Sequence, residues 1–408
     1  MNDFQKRISV GIDITRIIAI FWVFSVHYIQ LPWHEYFAGG TPYADVMKHW
    51  DTAWQSAASA AVLGNFFDGL FLWVSYAGWT GNMVFFMLSG FSLWFSFVRS
   101  GKYELGLYFE KRFYGVYLPY VLAAYVAFYS KKLYVQDFVP GTYDIYLLLI
   151  GAARYCRASY FYNEPFWFLS ILFILYLIFP FIVLLYKKVG SVGLSFSLVG
   201  LYYFNSSVYG HVWIFRYLIV FMAGIVAMEI LHRTAQLYYE PHSKHKIAEF
   251  FSSETGRKVI QGLSILIIIF SGYKVFNDLY ALLPIETAGK VKFNSFELGI
   301  ITPIFLVSLS ASIKINQKVI KVINYLAGGT LTLYLYHYLL KRIIVAKIPK
   351  EDFMDVVNQI YPDFMLNHFS VTFGVTFLIM LICCAMAQTT INIGINKLRE
   401  SFSGGIVR

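Results

Sequence analysis

Apolar runs of about twenty residues, separated by short polar stretches, recur from one end of the chain to the other. At 1.5 Å per residue, a helix of that length covers the ~30 Å hydrocarbon of a bilayer. The runs fall at 12–31, 79–98, 113–130, 166–186, 190–207, 213–231, 258–276, 296–313, 325–346 and 370–391. They predict an all-α polytopic membrane protein of about ten transmembrane helices. Two further stretches do not fit a span. Residues 56–77 are broken by Gly64, Asp68 and Gly69, and residues 143–155 are too few to cross, so both are predicted to be interfacial or re-entrant. The first run lacks a small-residue cleavage site and is long for a signal peptide, so it reads as a retained span.

Composition agrees. Of 408 residues, 58% are hydrophobic and only 14% are charged, against about 25% charged in soluble domains. No repeat and no Pro- or Ser-rich linker divides the chain. One transmembrane domain over 1–408, without an appended soluble module, is the expectation. The net charge of +10 is spread in twos and threes between the runs rather than gathered in one patch. That pattern argues against nucleic acid and for loops facing an anionic leaflet. With the N-terminus inside, and with Lys258, Lys274, Lys341 and Arg342 near span ends counted with the adjoining segments, the inner segments hold 19 Lys and Arg and the outer segments 12, with Arg16 and Arg216 inside spans. Both termini are therefore predicted to be cytoplasmic. Three cysteines, two of them adjacent (Cys383 and Cys384), make no disulfide framework.

Ionisable residues inside spans are costly and raise a functional hypothesis by default. Arg16 and His27 share the first span. Eleven residues bring a helix ~20° past three full turns, so the two side chains lie on one face, about 16 Å apart along the axis. A guanidinium suits phosphate and an imidazole suits proton transfer. The pair therefore matches a long ligand with an anionic end and a reactive end, such as an acyl-CoA. Asp13, three residues before Arg16, is placed to hold it. The plainer account has Arg16 snorkelling to inner headgroups and His27 at the outer interface.

Other candidates are Asn82 and Ser89 in the second run, Lys111 and Arg112 at the inner mouth of the third, and His337 in the ninth. Ser89-Gly90 also reads as a helix-packing notch, Lys111 as a positive-inside residue, and His337 as a buried, hydrogen-bonded core histidine. Glu164, just before Trp167, is a weak candidate for acceptor binding, and otherwise a solvated loop carboxylate. His242 and His245 have metal-compatible spacing but no third ligand nearby, so no metal is expected.

In order along the chain stand Asp13-Ile-Thr-Arg16 with His27, Phe85-Phe-Met-Leu-Ser-Gly-Phe91, Phe109-Glu-Lys-Arg-Phe-Tyr-Gly-Val-Tyr-Leu-Pro-Tyr120, Trp167-Phe-Leu with Tyr176 and Pro180, and Leu333-Tyr-Leu-Tyr-His337. Together they resemble acyltransferase family 3, the membrane proteins that include bacterial O-antigen and exopolysaccharide O-acetyltransferases. The resemblance runs from about residue 8 to 392. It implies a catalytic histidine at His27 and donor contacts at Arg16, Arg112 and Lys111. Asp13, Asn82, Ser89, Trp167 and His337 would support the site. Gly115 departs from the pattern, because the family often carries a second arginine there; Lys111 or Arg99 would have to compensate. Thr330 replaces a common serine and keeps the hydroxyl.

The reading that follows is an acyl-CoA-dependent O-acyltransferase of a bacterial plasma membrane. It would pass an acyl group, most simply acetyl from acetyl-CoA, to a hydroxyl of a cell-surface carbohydrate. Direct transfer and relay through an acyl-histidine both remain open. A transporter of lipid-linked saccharides is a rival, although repeated halves and paired broken helices are not visible. An acyltransferase for a lipid or small metabolite is another.

Overall fold

The computed structural model describes residues 3–29, 78, 80–101, 103–134, 142–152, 166–207, 213–239, 258, 265–275, 295–313, 315–345 and 369–404. Every element among them is helical. In chain order they are α1 (Asp3–Ile29), α2 (Thr80–Ser100), α3 (Leu105–Arg112), a π-helical turn (Phe113–Tyr117), α4 (Leu118–Tyr134) and α5 (Thr142–Leu149). Then come α6 (Phe166–Ser207), α7 (Trp213–Tyr239), α8 (Ile265–Val275), α9 (Ser295–Ser312), α10 (Gln317–Gly328), α11 (Thr330–Val345) and α12 (Phe369–Gly404).

Five stretches among the described residues are long and apolar enough to cross a membrane: Gln5–His27, Thr80–Ser100, Phe166–Asn205, Ile214–Thr234 and Phe373–Lys397. The chain is a multi-pass membrane protein. Large apolar side chains face outward along these helices, with Phe181 67% and Phe196 71% exposed. A soluble protein does not carry such a belt. The predicted run 56–77 lies outside the described residues.

One predicted boundary is kept and one is moved. The runs 166–186 and 190–207 follow one another as the two helical halves of α6, separated by non-helical backbone at Gly190. That residue sits at φ 69°, ψ −171°, a conformation that only glycine adopts without strain, and it bends the path between two helical halves. The predicted ninth span, 325–346, starts too early. Residues up to Gly328 belong to the separate amphipathic α10, whose N-cap Asn316 accepts from the Lys318 backbone N–H at 2.8 Å. The apolar helix begins at Thr330 and is 16 residues long, about 24 Å.

The core is built around α2, which packs against α1, α7 and α9. Glycine sets the α2–α7 distance: a Cβ on Gly90 would run into the Phe221 carbonyl, and one on Gly224 into the Met87 carbonyl. Small residues at facing positions are how membrane helices gain close van der Waals contact.

Several contacts orient the bundle. Arg7 donates to the Ala311 carbonyl at the end of α9, Arg16 reaches Ser92 in the second half of α2, and Glu110 of α3 pairs with Arg399 of α12 at 2.6 Å. At the opposite end, Phe24 packs against Phe373 and Phe377 near the start of α12 (5.5 and 5.7 Å between centroids). The beginning of α1 and the end of α12 therefore lie at the same end of the bundle. Lys111, Arg112 and Lys397 share that end.

Candidate functional site

Along α1, Arg16, Ile20, Val23 and His27 form one helical stripe. Ile20 and Val23 are 0% and 1% exposed, so the stripe faces the protein interior. Its two ends carry different chemistry.

At the first end, Arg16 Nη1 donates to Asp13 Oδ1 at 3.0 Å and Nη2 to Ser92 Oγ at 3.3 Å. The Asp13 side chain is 15% exposed and that of Arg16 38%. With its amide oriented to donate, Asn324 of α10 reaches Asp13 Oδ2 at 3.2 Å. The carboxylate thus fixes the guanidinium from below while part of the cation stays accessible. The predicted Asp13–Arg16 pairing is present; Ser92 and Asn324 come from α2 and α10 and had no sequence signal.

At the second end, His27 stands beside His337 of α11, ring centroids 5.2 Å apart at 41°. His337 is 3% exposed. Its Nδ1 lies 2.8 Å from the Tyr334 carbonyl and 3.1 Å from that of Leu333. The Tyr334 hydroxyl in turn donates to Asn82 Oδ1 at 3.2 Å. Phe24, Phe85 and Phe168 surround the group, with Phe24 6.3 Å from the His337 ring and Phe168 4.9 Å from that of Tyr334. The structure therefore brings together three residues singled out from sequence, His27, His337 and Asn82, from three helices.

Trp167, the second residue of α6, lies at the edge of this cluster, 6.3 Å from the Phe168 ring and 5.8 Å from that of Tyr217. Ser89 spends its hydroxyl on the Phe85 carbonyl at 2.8 Å, which fits a packing role beside Gly90. Thr330 bonds the Ala327 carbonyl at 2.8 Å. Glu164, His242 and His245 lie outside the described residues.

A third cluster surrounds Arg112, in the last turn of α3 immediately before the π-helical turn, a distortion often found at functional sites. Its guanidinium lies over the Tyr176 ring, 5.4 Å from the centroid. Tyr108 donates to the Tyr176 carbonyl at 2.8 Å, and the Tyr103 ring packs against Tyr108 at 5.7 Å. Among the described residues, the buried Arg112 Nε and Tyr103 hydroxyl have no hydrogen-bond partner. Burial pushes the Tyr103 hydroxyl up to about 12 and raises that of Tyr108 as well, so both stay protonated donors at neutral pH. Lys111 is exposed. A Cβ added at Gly115 would meet nothing within 4 Å, so space at that atom does not require glycine.

Sequence reasoning missed Glu229 of α7, a carboxylate 3% exposed. Its Oε2 accepts from Trp94 Nε1 at 2.8 Å. Its Oε1 accepts from Ser191 Oγ (2.6 Å), the Tyr186 hydroxyl (3.0 Å) and Arg233 Nε (2.9 Å). Ser191 directly follows Gly190, so the carboxylate ties the bend of α6 to α2 and α7. An acid inside an apolar run, four residues before an arginine, was the available signal.

The family description for the acyltransferase domain of acyltransferase family 3 matches residues 9–388. No curated protein and no solved structure matches the chain. The matched span includes both ends of the stripe, the Arg112 cluster and His337. The chain belongs to acyltransferase family 3.

Proposed function

We propose that this acyltransferase takes an acyl group, most simply acetyl, from acyl-CoA on the cytoplasmic side and passes it to a hydroxyl of a carbohydrate at the outer face. The single observation that carries the reading is the α1 stripe. A carboxylate-held guanidinium at Arg16 and an imidazole at His27 sit about 16 Å apart on a buried face. That separation suits the phosphates and the thioester of one extended donor. Arg112 and Lys111 stand at the same end as Arg16, and the Arg112 Nε and Tyr103 hydroxyl offer donors to an anionic or oxygen-rich group. The gathering of Lys and Arg at that end supports a cytoplasmic placement for it, and for both termini. The membrane would then be the bacterial plasma membrane.

In this mechanism His27 takes the proton of the acceptor hydroxyl as its oxygen attacks the thioester carbonyl. The new C–O bond forms, the C–S bond breaks, and the proton passes from His27 to the departing thiolate. Exclusion of water by Phe24, Phe85 and Phe168 would limit hydrolysis of the donor.

The test uses the full-length protein in detergent or proteoliposomes with acetyl-CoA labelled in the acetyl group. Wild type should release the label from CoA, and His27→Ala should lower that rate by about 10²–10⁴-fold. A saccharide transporter would do neither, and a wild type that leaves the label on CoA would overturn the acyl-CoA reading.

A further inference from the structure

We propose that α10 lies in the membrane–water interface at the Arg16 end of the bundle, where Lys318 and Lys321 bind the headgroups of anionic phospholipid. The inference goes beyond the acyl-transfer reading and does not depend on it.

α10 has twelve residues and is about 18 Å long, too short to cross ~30 Å of hydrocarbon. One side packs against α1 and α12, with Ala327 buried and Leu326 set against the core. At 100° per residue, Lys321, Tyr325, Lys318, Val322 and Val319 follow one another around the other side, within about 160°. All five are exposed: Val319 49%, Val322 56% and Tyr325 43%, with both lysines among them.

Only one surrounding suits that face. In water it would leave three adjoining large apolar side chains wet. In hydrocarbon it would strip the water from two ammonium groups, and among the described residues neither is paired with a carboxylate. At the headgroup boundary both needs are met. The valines and the tyrosine ring enter the acyl region, and the lysine stems carry their charges out to the phosphates. α10 contains no acidic residue, and Asp13 of the neighbouring α1 is engaged by Arg16. The face is therefore a net cation, complementary to an anionic leaflet and not to a zwitterionic one.

The placement reaches the Arg16 site. With its amide oriented to donate, Asn324 of α10 lies 3.2 Å from Asp13 Oδ2, and Asp13 Oδ1 accepts from Arg16 at 3.0 Å. A helix seated among headgroups thus holds the Arg16 guanidinium near the same depth.

Two measurements on the full-length protein test this, and neither uses an acyl donor. The first compares retention of phosphatidylglycerol and phosphatidylcholine by purified protein in detergent, read by native mass spectrometry. Wild type should prefer phosphatidylglycerol, and Lys318→Gln/Lys321→Gln should weaken that retention by about 25-fold, about fivefold for each lysine near the surface. Retention of phosphatidylcholine should stay within twofold. An unchanged preference in the double variant would overturn the proposal. An equal loss for both lipids would assign the lysines to the fold and overturn it as well.

The second measures depth. A spin label on Val322→Cys in phosphatidylglycerol-containing proteoliposomes, with labelled wild type as the background for the native cysteines, should sit about 5–10 Å below the headgroups. Free access to an aqueous nickel chelate, or a position at the bilayer midplane, would rule out an interfacial helix. Should Val322→Cys not fold, the lipid retention of Lys318→Gln/Lys321→Gln decides, because both lysines are exposed and leave the packed side of α10 untouched.

Discussion

Around His27 the polar groups are buried, and their donors go to nearby backbone or to one another. Around Arg16, at the other end of the same stripe, the guanidinium keeps 38% of its side chain exposed and holds a carboxylate and a hydroxyl. The first region is arranged like a reaction centre, where low dielectric makes each dipole count. The second is arranged like a mouth, where a cation is fixed in place yet can still meet an anion. Contrasts of this kind are expected when one ligand presents a charged end and a neutral reactive end. Substitutions at the His27 end should therefore act on kcat, and substitutions at the Arg16 end on KM.

The largest effect belongs to His27→Ala, about 10²–10⁴-fold in kcat for release of label from acetyl-CoA. Raising ionic strength should not deepen that loss, because the half-buried His27 packs beside the buried Phe24 and His337, where salt screens little. A salt-dependent defect would place His27 in the charged mouth and break the contrast.

Next comes Glu229→Leu, which should act on stability alone. The carboxylate accepts from four side chains, and its loss strands Trp94, Ser191 and Tyr186 at the bend of α6. About 2–5 kcal/mol is the expected cost, read as a fall of several degrees in the thermal unfolding midpoint in detergent. KM for acetyl-CoA, measured well below that temperature, should stay within twofold. The charged end would then divide into a sealed carboxylate that holds helices and an accessible cation that meets ligand.

Arg16→Ala should raise KM for acetyl-CoA about 10–100-fold with a smaller change in kcat, since a charged hydrogen bond contributes about 1.5–3 kcal/mol. Arg16→Lys should not restore it, because an ammonium cannot span Asp13 and Ser92 as the guanidinium fork does. Initial rates against acetyl-CoA concentration decide. Full rescue by lysine would reduce Arg16 to a point charge.

What the sequence could reveal follows from distance along the chain. The stripe on α1 was legible because helical periodicity alone puts Arg16 and His27 on one face, and Asp13 lies within one turn. The starts of α2, α6 and α7 were legible to within a residue or so from the apolar runs. The pairing of His27 with His337 was not, because the two are 310 positions apart, and taken singly His27 reads as an interfacial residue and His337 as a core histidine. Glu229 was passed over for the same reason: its partners Trp94 and Ser191 come from other helices. The break at Gly329 was hidden because α10 is apolar on one face and runs without a polar gap into α11. Local patterns fixed which residues share a helix face, and packing between distant segments fixed which faces meet.

Tyr103→Phe should have the smallest effect, and it discriminates because two readouts should move in opposite senses. Among the described residues the Tyr103 hydroxyl is buried without a hydrogen-bond partner, a condition that costs the resting protein free energy. Removing the oxygen should leave the thermal midpoint unchanged or slightly higher. Burial holds the hydroxyl protonated up to about 12, so at neutral pH it is available as a donor to whatever sits beside Arg112. If the donor's phosphates sit there, the variant should raise KM for acetyl-CoA about 2–10-fold, the worth of one hydrogen bond. In the unfolded chain tyrosine ionises near its usual value of about 10 while the buried hydroxyl resists ionisation up to about 12, so Tyr103 has no pH-dependent effect on stability below about 10 and increasingly disfavours the folded state as pH rises toward 12. Tyr103→Phe should therefore lessen alkaline destabilisation between those values. A lower midpoint with unchanged KM would show that the hydroxyl serves the fold, and would remove Tyr103 from the charged mouth.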